Sequence, residues 1–101
     1  LELRPNCEFC DKDLPAHSMD AYICTYECTF CKHCVDTILQ NVCPNCGGNF
    51  CQRPIRPSNE YRKGLSLEHQ KSALIRVNTA FRKVEIDLFI ADIKHLKPNE
   101  R

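Results

Sequence analysis

Nine cysteines in a chain of 101 residues, eight of them in four close pairs, predict a small zinc-stabilised α+β fold. Two further observations shape that prediction. The apolar residues Val35, Ile38, Leu39 and Val42 recur at helical spacing between two of the cysteine pairs. Residues 65–97 form the longest periodic stretch, without a glycine or proline. The expected organisation is therefore a two-zinc domain over 1–51, a Pro/Arg-rich linker over 52–64, and an amphipathic C-terminal segment over 65–97.

The metal comes first because the core is thin. A chain of this size buries a small share of its surface. It has no Trp, five Phe and three Tyr, so large anchors are few. The opening "LELRPNCEFC" is polar and lacks the apolar run of an export signal. No stretch reaches the roughly 18 apolar residues of a membrane span. The expected compartment is the reducing cytoplasm, where clustered thiols bind metal rather than pair as disulfides.

The spacing runs Cys7-x2-Cys10, Cys24-x3-Cys28, Cys31-x2-Cys34 and Cys43-x2-Cys46, with Cys51 alone. A tight turn can present two thiolates to one tetrahedral ion, and a structural Zn²⁺ takes four at about 2.3 Å. Four pairs thus serve two ions. Only two residues separate Cys28 from Cys31, which leaves 24/28 and 31/34 too crowded to share an ion. An interleaved scheme relieves the crowding. Cys7, Cys10, Cys31 and Cys34 form site 1, and Cys24, Cys28, Cys43 and Cys46 form site 2.

This cross-brace order resembles that of a RING finger, over residues 7–46, with Cys28 standing where most RING fingers have His. The resemblance implies short hairpins and one short helix, here "VDTILQNV" between Cys34 and Cys43. It also suggests a ubiquitin-ligase-like role, with Phe9 and Ile38 or Leu39 as the gripping patch. Gly47, where many ligases carry a bulky or basic residue, speaks against it. A second resemblance is closer. "LELRPNCEFCDKDLP", "ICTYECTFCKHC", "CPNCGG" and "RPIRP" resemble the bacterial domain of unknown function 1272 family, over about residues 1–57. That implies a small zinc-binding bacterial protein without an assigned activity.

Other chemistry is weighed against blander readings. An S₄ site also accepts iron, so iron is the alternative metal. A redox CxxC would need a βαβ context that this pattern lacks. Cys51 is expected to be a small buried hydrophobe beside Phe50. His33 and His17 are expected in exposed positions, and Asp11 and Asp13 in a solvated loop. Four thiolates close a zinc coordination sphere, so both sites are read as structural and the protein as no enzyme.

The C-terminal half carries a different signal. Leu67, Leu74, Phe81 and Leu88 fall seven apart, with Val77, Val84 and Ala91 between them. That heptad seam predicts one helix of about 30 residues, capped by Ser66 and closed by Lys94, Lys97 and Pro98. Val84, Ile86, Leu88 and Ile90 also alternate with period two, a competing strand signal. Either form needs burial, and self-association through 65–97 is the expected remedy. Residues 1–51 hold three basic and seven acidic groups, while 52–101 hold eleven basic and six acidic. Thiolate binding of zinc would make the first half more acidic still. The function expected is a non-catalytic interaction or adaptor module with an unknown protein partner. A nucleic-acid role through Arg53, Arg56, Arg62, Lys63, Arg82 and Lys83 is the alternative, and metal storage or sensing a further one.

Overall fold

A computed structural model describes residues 1–101. Its centre is a three-stranded antiparallel sheet in the order β2-β1-β3, with β1 Ala21–Ile23, β2 Thr29–Cys31 and β3 Cys51–Gln52. Tyr22 stands opposite Phe30 on one side and Gln52 on the other. The strands are short, and β2 is buried along its length. Phe30 packs edge-on against Phe50 with ring centroids 5.3 Å apart, a favoured aromatic geometry.

After β2 the chain turns into a five-residue π-helical segment, Cys34–Ile38. The expected short helix over 35–42 is therefore present but shorter, starting one residue earlier and ending at Ile38. Its apolar stripe faces inward: Val35, Leu39 and Val42 are buried and Ile38 packs against the same core. The segment ends where Gln40 and Asn41 take left-handed backbone angles (φ 49° and 60°).

Residues 53–64 contain no helix, as Pro54 and Pro57 dictate. The segment is more than a linker, however. Arg53 is only 2% exposed. Its guanidinium donates to the carbonyls of Arg4 (2.8 Å), Leu14 (3.3 Å) and Pro15 (3.1 Å). Arg56 likewise donates to the carbonyls of Gln70 and Leu1.

The 30-residue helix is not formed. Helix α1 spans Lys83–Ile93 only. This resolves the helix-or-strand ambiguity in favour of helix and corrects its length. The reason lies in what precedes it. Residues 71–81 run irregularly across the cysteine-rich module. Ala73 N–H donates to Glu2 O, and Thr79 N–H to Glu8 O, both at 2.9 Å. The Asn6 amide donates to Val77 O (2.9 Å) and accepts from Val77 N–H (3.1 Å). Those bonds compete with helix formation. Ser66 consequently opens an isolated turn, its carbonyl accepting from His69 and Gln70.

Within α1 the face that packs is Ile86 and Ile90, both nearly inaccessible, with Ile93 partly buried beside them. They join the core cluster of Leu39, Val42 and Cys43. The heptad residues point away: Leu88 is 68% exposed and Leu74 87%. Glu85 closes the N-terminus of α1, its carboxylate accepting from the Arg82 N–H (3.0 Å) and Arg82 Nε (3.3 Å). No helix is long and apolar enough to cross a membrane.

Candidate metal centre

Each thiol pair is displayed by a local turn. In the first knuckle Cys7 N–H donates to Lys12 O (2.8 Å) and Asp11 N–H to Cys7 O (2.9 Å). In the second Cys43 N–H donates to Gly48 O (2.8 Å) and Gly47 N–H to Cys43 O (2.7 Å). The two loops have the same hydrogen-bond plan. Both need a left-handed residue just after the second cysteine, Asp11 (φ 65°) in one and Gly47 (φ 82°) in the other. Cys24 and Cys28 sit at the two ends of the β1–β2 turn, where Cys24 N–H donates to Cys28 O at 3.2 Å. Cys31 ends β2 and Cys34 begins the helical turn.

The fold gathers these thiols into two groups. Cys7, Cys10, Cys31 and Cys34 form one, with all four sulfurs within 4.8 Å of one another. Four sulfurs at about 2.3 Å from one tetrahedral ion would lie about 3.8 Å apart. Cys10 and Cys31 Sγ are separated by 3.8 Å. Cys24, Cys28 and Cys43 form the second group within the same limit. Cys46 is not among them. It lies exposed, its sulfur accepting from Gly48 N–H at 3.4 Å. It lines an open cleft together with Cys28, Tyr26 and Asn45. Both groups can hold a metal ion, the first with four thiols and the second with three. The pairs interleave along the chain in the cross-brace order.

The thiols perturb one another. Hydrogen bonding with Cys43, and with the Asn45 side chain, lowers the Cys28 pKa to about 5 against the opposing effect of burial. The same contact with Cys28, reinforced by burial, pushes Cys43 upward. Burial raises Cys24 to about 11. In the first group burial raises Cys7 and Cys34, and proximity to Cys7 raises Cys34 further. Protons shared among buried sulfurs are what a bound cation would replace, so metal binding here releases protons.

The other cysteine and the expected bystanders are placed as follows. Cys51 is exposed on β3 instead of buried, as is its strand neighbour Gln52. His17 and His33 are exposed as expected. Asp11 and Asp13 are not merely solvated: Arg76 donates to Asp13 Oδ1 (2.6 Å) and Asp11 Oδ1 (3.1 Å). Among the basic candidates, Arg53 and Arg56 bind backbone carbonyls within the fold, while Arg62, Lys63, Arg82 and Lys83 remain exposed.

One organising residue carries no signal in the sequence. Glu8 is 2% exposed between the two knuckles. Its carboxylate accepts from Thr29 N–H (2.7 Å), Arg4 Nη1 (3.0 Å) and Asn45 Nδ2 (3.2 Å). It therefore ties the first knuckle to β2 and to the second knuckle. Burial outweighs these donors and raises its pKa. As one acid among seven in residues 1–51, it does not stand out by position or neighbours.

The fold and site define a small cysteine-rich protein with two interleaved thiol clusters suited to metal. Residues 1–56 match the family described as "Protein of unknown function (DUF1272)", and the chain belongs to that family. It is 59% identical over 63 residues to an uncharacterized protein of Rhizobium meliloti (strain 1021), covering 62% of this chain and 75% of that one. No solved structure matches the chain.

Proposed function

We propose that the protein is a non-catalytic, zinc-held interaction module that acts as an adaptor or regulator through protein contacts. The observation that carries this reading is the four-thiol group of Cys7, Cys10, Cys31 and Cys34, three of whose members are buried. Four thiolates complete a zinc sphere and leave no position for water or substrate, so such an ion folds the chain rather than reacting. Cys46 would complete the second sphere from the open cleft beside Cys28. The partner contact proposed is self-association through the outward side of α1, where Val84 and Leu88 stand exposed four residues apart. The gripping patch of a ubiquitin ligase is poorly supported, since Leu39 is wholly buried and Ile38 packs against the core.

Metal analysis of the purified protein tests the reading. Two Zn²⁺ per chain are expected, together with loss of β-sheet circular dichroism when a strong chelator is added at neutral pH. Structural zinc contributes on the order of 10 kcal/mol to folding in small domains. A metal-free chain that keeps its fold would overturn the proposal, and iron as the native metal would change its chemistry.

A further inference from the structure

Different groups of the C-terminal segment hold the two knuckles. The first is tied to β2 through Glu8, and from the C-terminal segment it is held by Arg76 at Asp11 and by the Thr79 N–H at Glu8 O. The second knuckle, Cys43–Gly48, is braced by the C-terminal segment on several sides. Thr79 Oγ1 donates to Asn45 Oδ1 at 2.8 Å. Arg101 Nη1 donates to Gly47 O (3.2 Å) and to Asn41 O (2.9 Å). Phe89 and Ile93 close over Gly47, where an added Cβ would lie 3.3 Å from Ile93 Cδ1. Pro44 and Asn45 share a 230 Å³ cavity with Phe81, Ile86 and Phe89.

We infer that the C-terminal segment is the positioning element of the second metal site, and that metal occupancy there is coupled to docking of α1. The inference rests on the reading of both thiol groups as metal sites. Its logic is geometric. Cys43 lies inside the three-thiol group and Cys46 outside it, three residues along the same turn. The backbone of that turn decides whether the fourth sulfur can reach the ion. Asn45 and Gly47 flank Cys46 directly, and these are the residues that Thr79 and Arg101 hold. Thr79 and Arg101 are thus positioning residues that touch no sulfur. Coupling of this kind is reciprocal: whatever α1 adds to metal affinity, metal adds to the docking of α1. Loss of the second ion would loosen the packing of Ile86 and Ile90 and expose an apolar face that the loaded protein hides.

The test uses the full chain loaded with Zn²⁺, with release to a chromophoric chelator followed in time. Cys24→Ser removes one phase and so assigns it to the second site. In the Thr79→Ala/Arg101→Ala double variant that phase should accelerate about tenfold, within the range of ordinary site coupling, while the other phase keeps its rate. Arg101→Lys should recover part of the effect. Arg76→Ala, which removes a comparable clasp at Asp11 and Asp13, should leave the second-site phase unchanged. In the Cys24→Ser chain, amide exchange across Ile86–Ile90 should be faster than in the fully loaded protein. Unchanged release in the double variant, or equal acceleration of both phases, would overturn the coupling. A wild-type chain holding fewer than two ions would instead overturn the two-site reading on which it rests.

Discussion

Asn6 shows how one amide can stand in for a strand. It is fully buried, and it binds both the N–H and the C=O of Val77, a residue 71 positions away. An Asn6→Ala change leaves two backbone groups of Val77 without these partners. Each buried orphan costs about 1–3 kcal/mol, though water can reach exposed Val77 and soften the loss. A destabilisation of about 1–2 kcal/mol is expected in the zinc-loaded protein, measured by denaturant titration, with faster exchange over residues 71–81. Arg53 is the harsher case. Its guanidinium satisfies three carbonyls with almost no solvent contact. Arg53→Ala should cost about 3 kcal/mol or more by the same reasoning, and a loss below 1 kcal/mol would show that water replaces it freely. The cysteines announce themselves by type and spacing, which is why seven of the eight paired thiols fall into the two groups that the spacing assigns, with Cys46 outside. Asn6, Glu8 and Arg53 were not legible in this way. They are ordinary polar residues whose role comes from partners far along the chain, and no local pattern records that.

At the scale of elements, legibility follows the range of the interactions involved. The helical turn after β2 packs a stripe set by neighbouring residues, so Val35, Ile38, Leu39 and Val42 revealed it. The heptad over 67–88 carried an equally regular pattern and misled. A seam stabilises a long helix only when a partner fills it. Here the competing backbone bonds to Glu2, Asn6 and Glu8 hold 71–81 irregular, and α1 begins only at Lys83. The inward face of α1 is Ile86 and Ile90, the side opposite Leu88 that a helical reading of the same residues gives. Two substitutions separate these faces. Ile90→Ala should cost about 2–5 kcal/mol, as for other buried isoleucines, whereas Val84→Ala on the outer face should change stability by less than about 0.5 kcal/mol. The close seating of α1 on the second knuckle adds a third. Gly47→Ala places a side chain at φ 82° and 3.3 Å from Ile93. The backbone penalty alone is about 1–2 kcal/mol, and the contact should displace α1, visible as new exchange at Ile90.

Taken as a whole, the molecule measures 46 × 27 × 18 Å and turns several large apolar side chains outward. Leu74, Ile75, Val84 and Leu88 are each at least 60% exposed, all of them in the C-terminal segment. Single exposed apolar residues need no explanation, but a helix with both faces apolar does. The module covers the Ile86 and Ile90 side of α1 and leaves the Val84 and Leu88 side open. A second copy is the proposed cover, because two such faces meeting about a two-fold axis would each supply what the other lacks. Eleven helical residues extend only about 16 Å, so a contact made by α1 alone falls short of the roughly 1,200 Å² of a stable interface. The expected behaviour is a concentration-dependent monomer–dimer equilibrium rather than an obligate dimer. Sedimentation velocity over a dilution series measures it directly. Leu88→Glu places a charge at the centre of the proposed contact and should leave a monomer at every concentration. Its zinc content and unfolding midpoint should stay unchanged, since Leu88 takes no part in the core. A wild-type chain that sediments as a monomer throughout the series would sink self-association while leaving both thiol clusters intact. The outward face would then be free for a different protein.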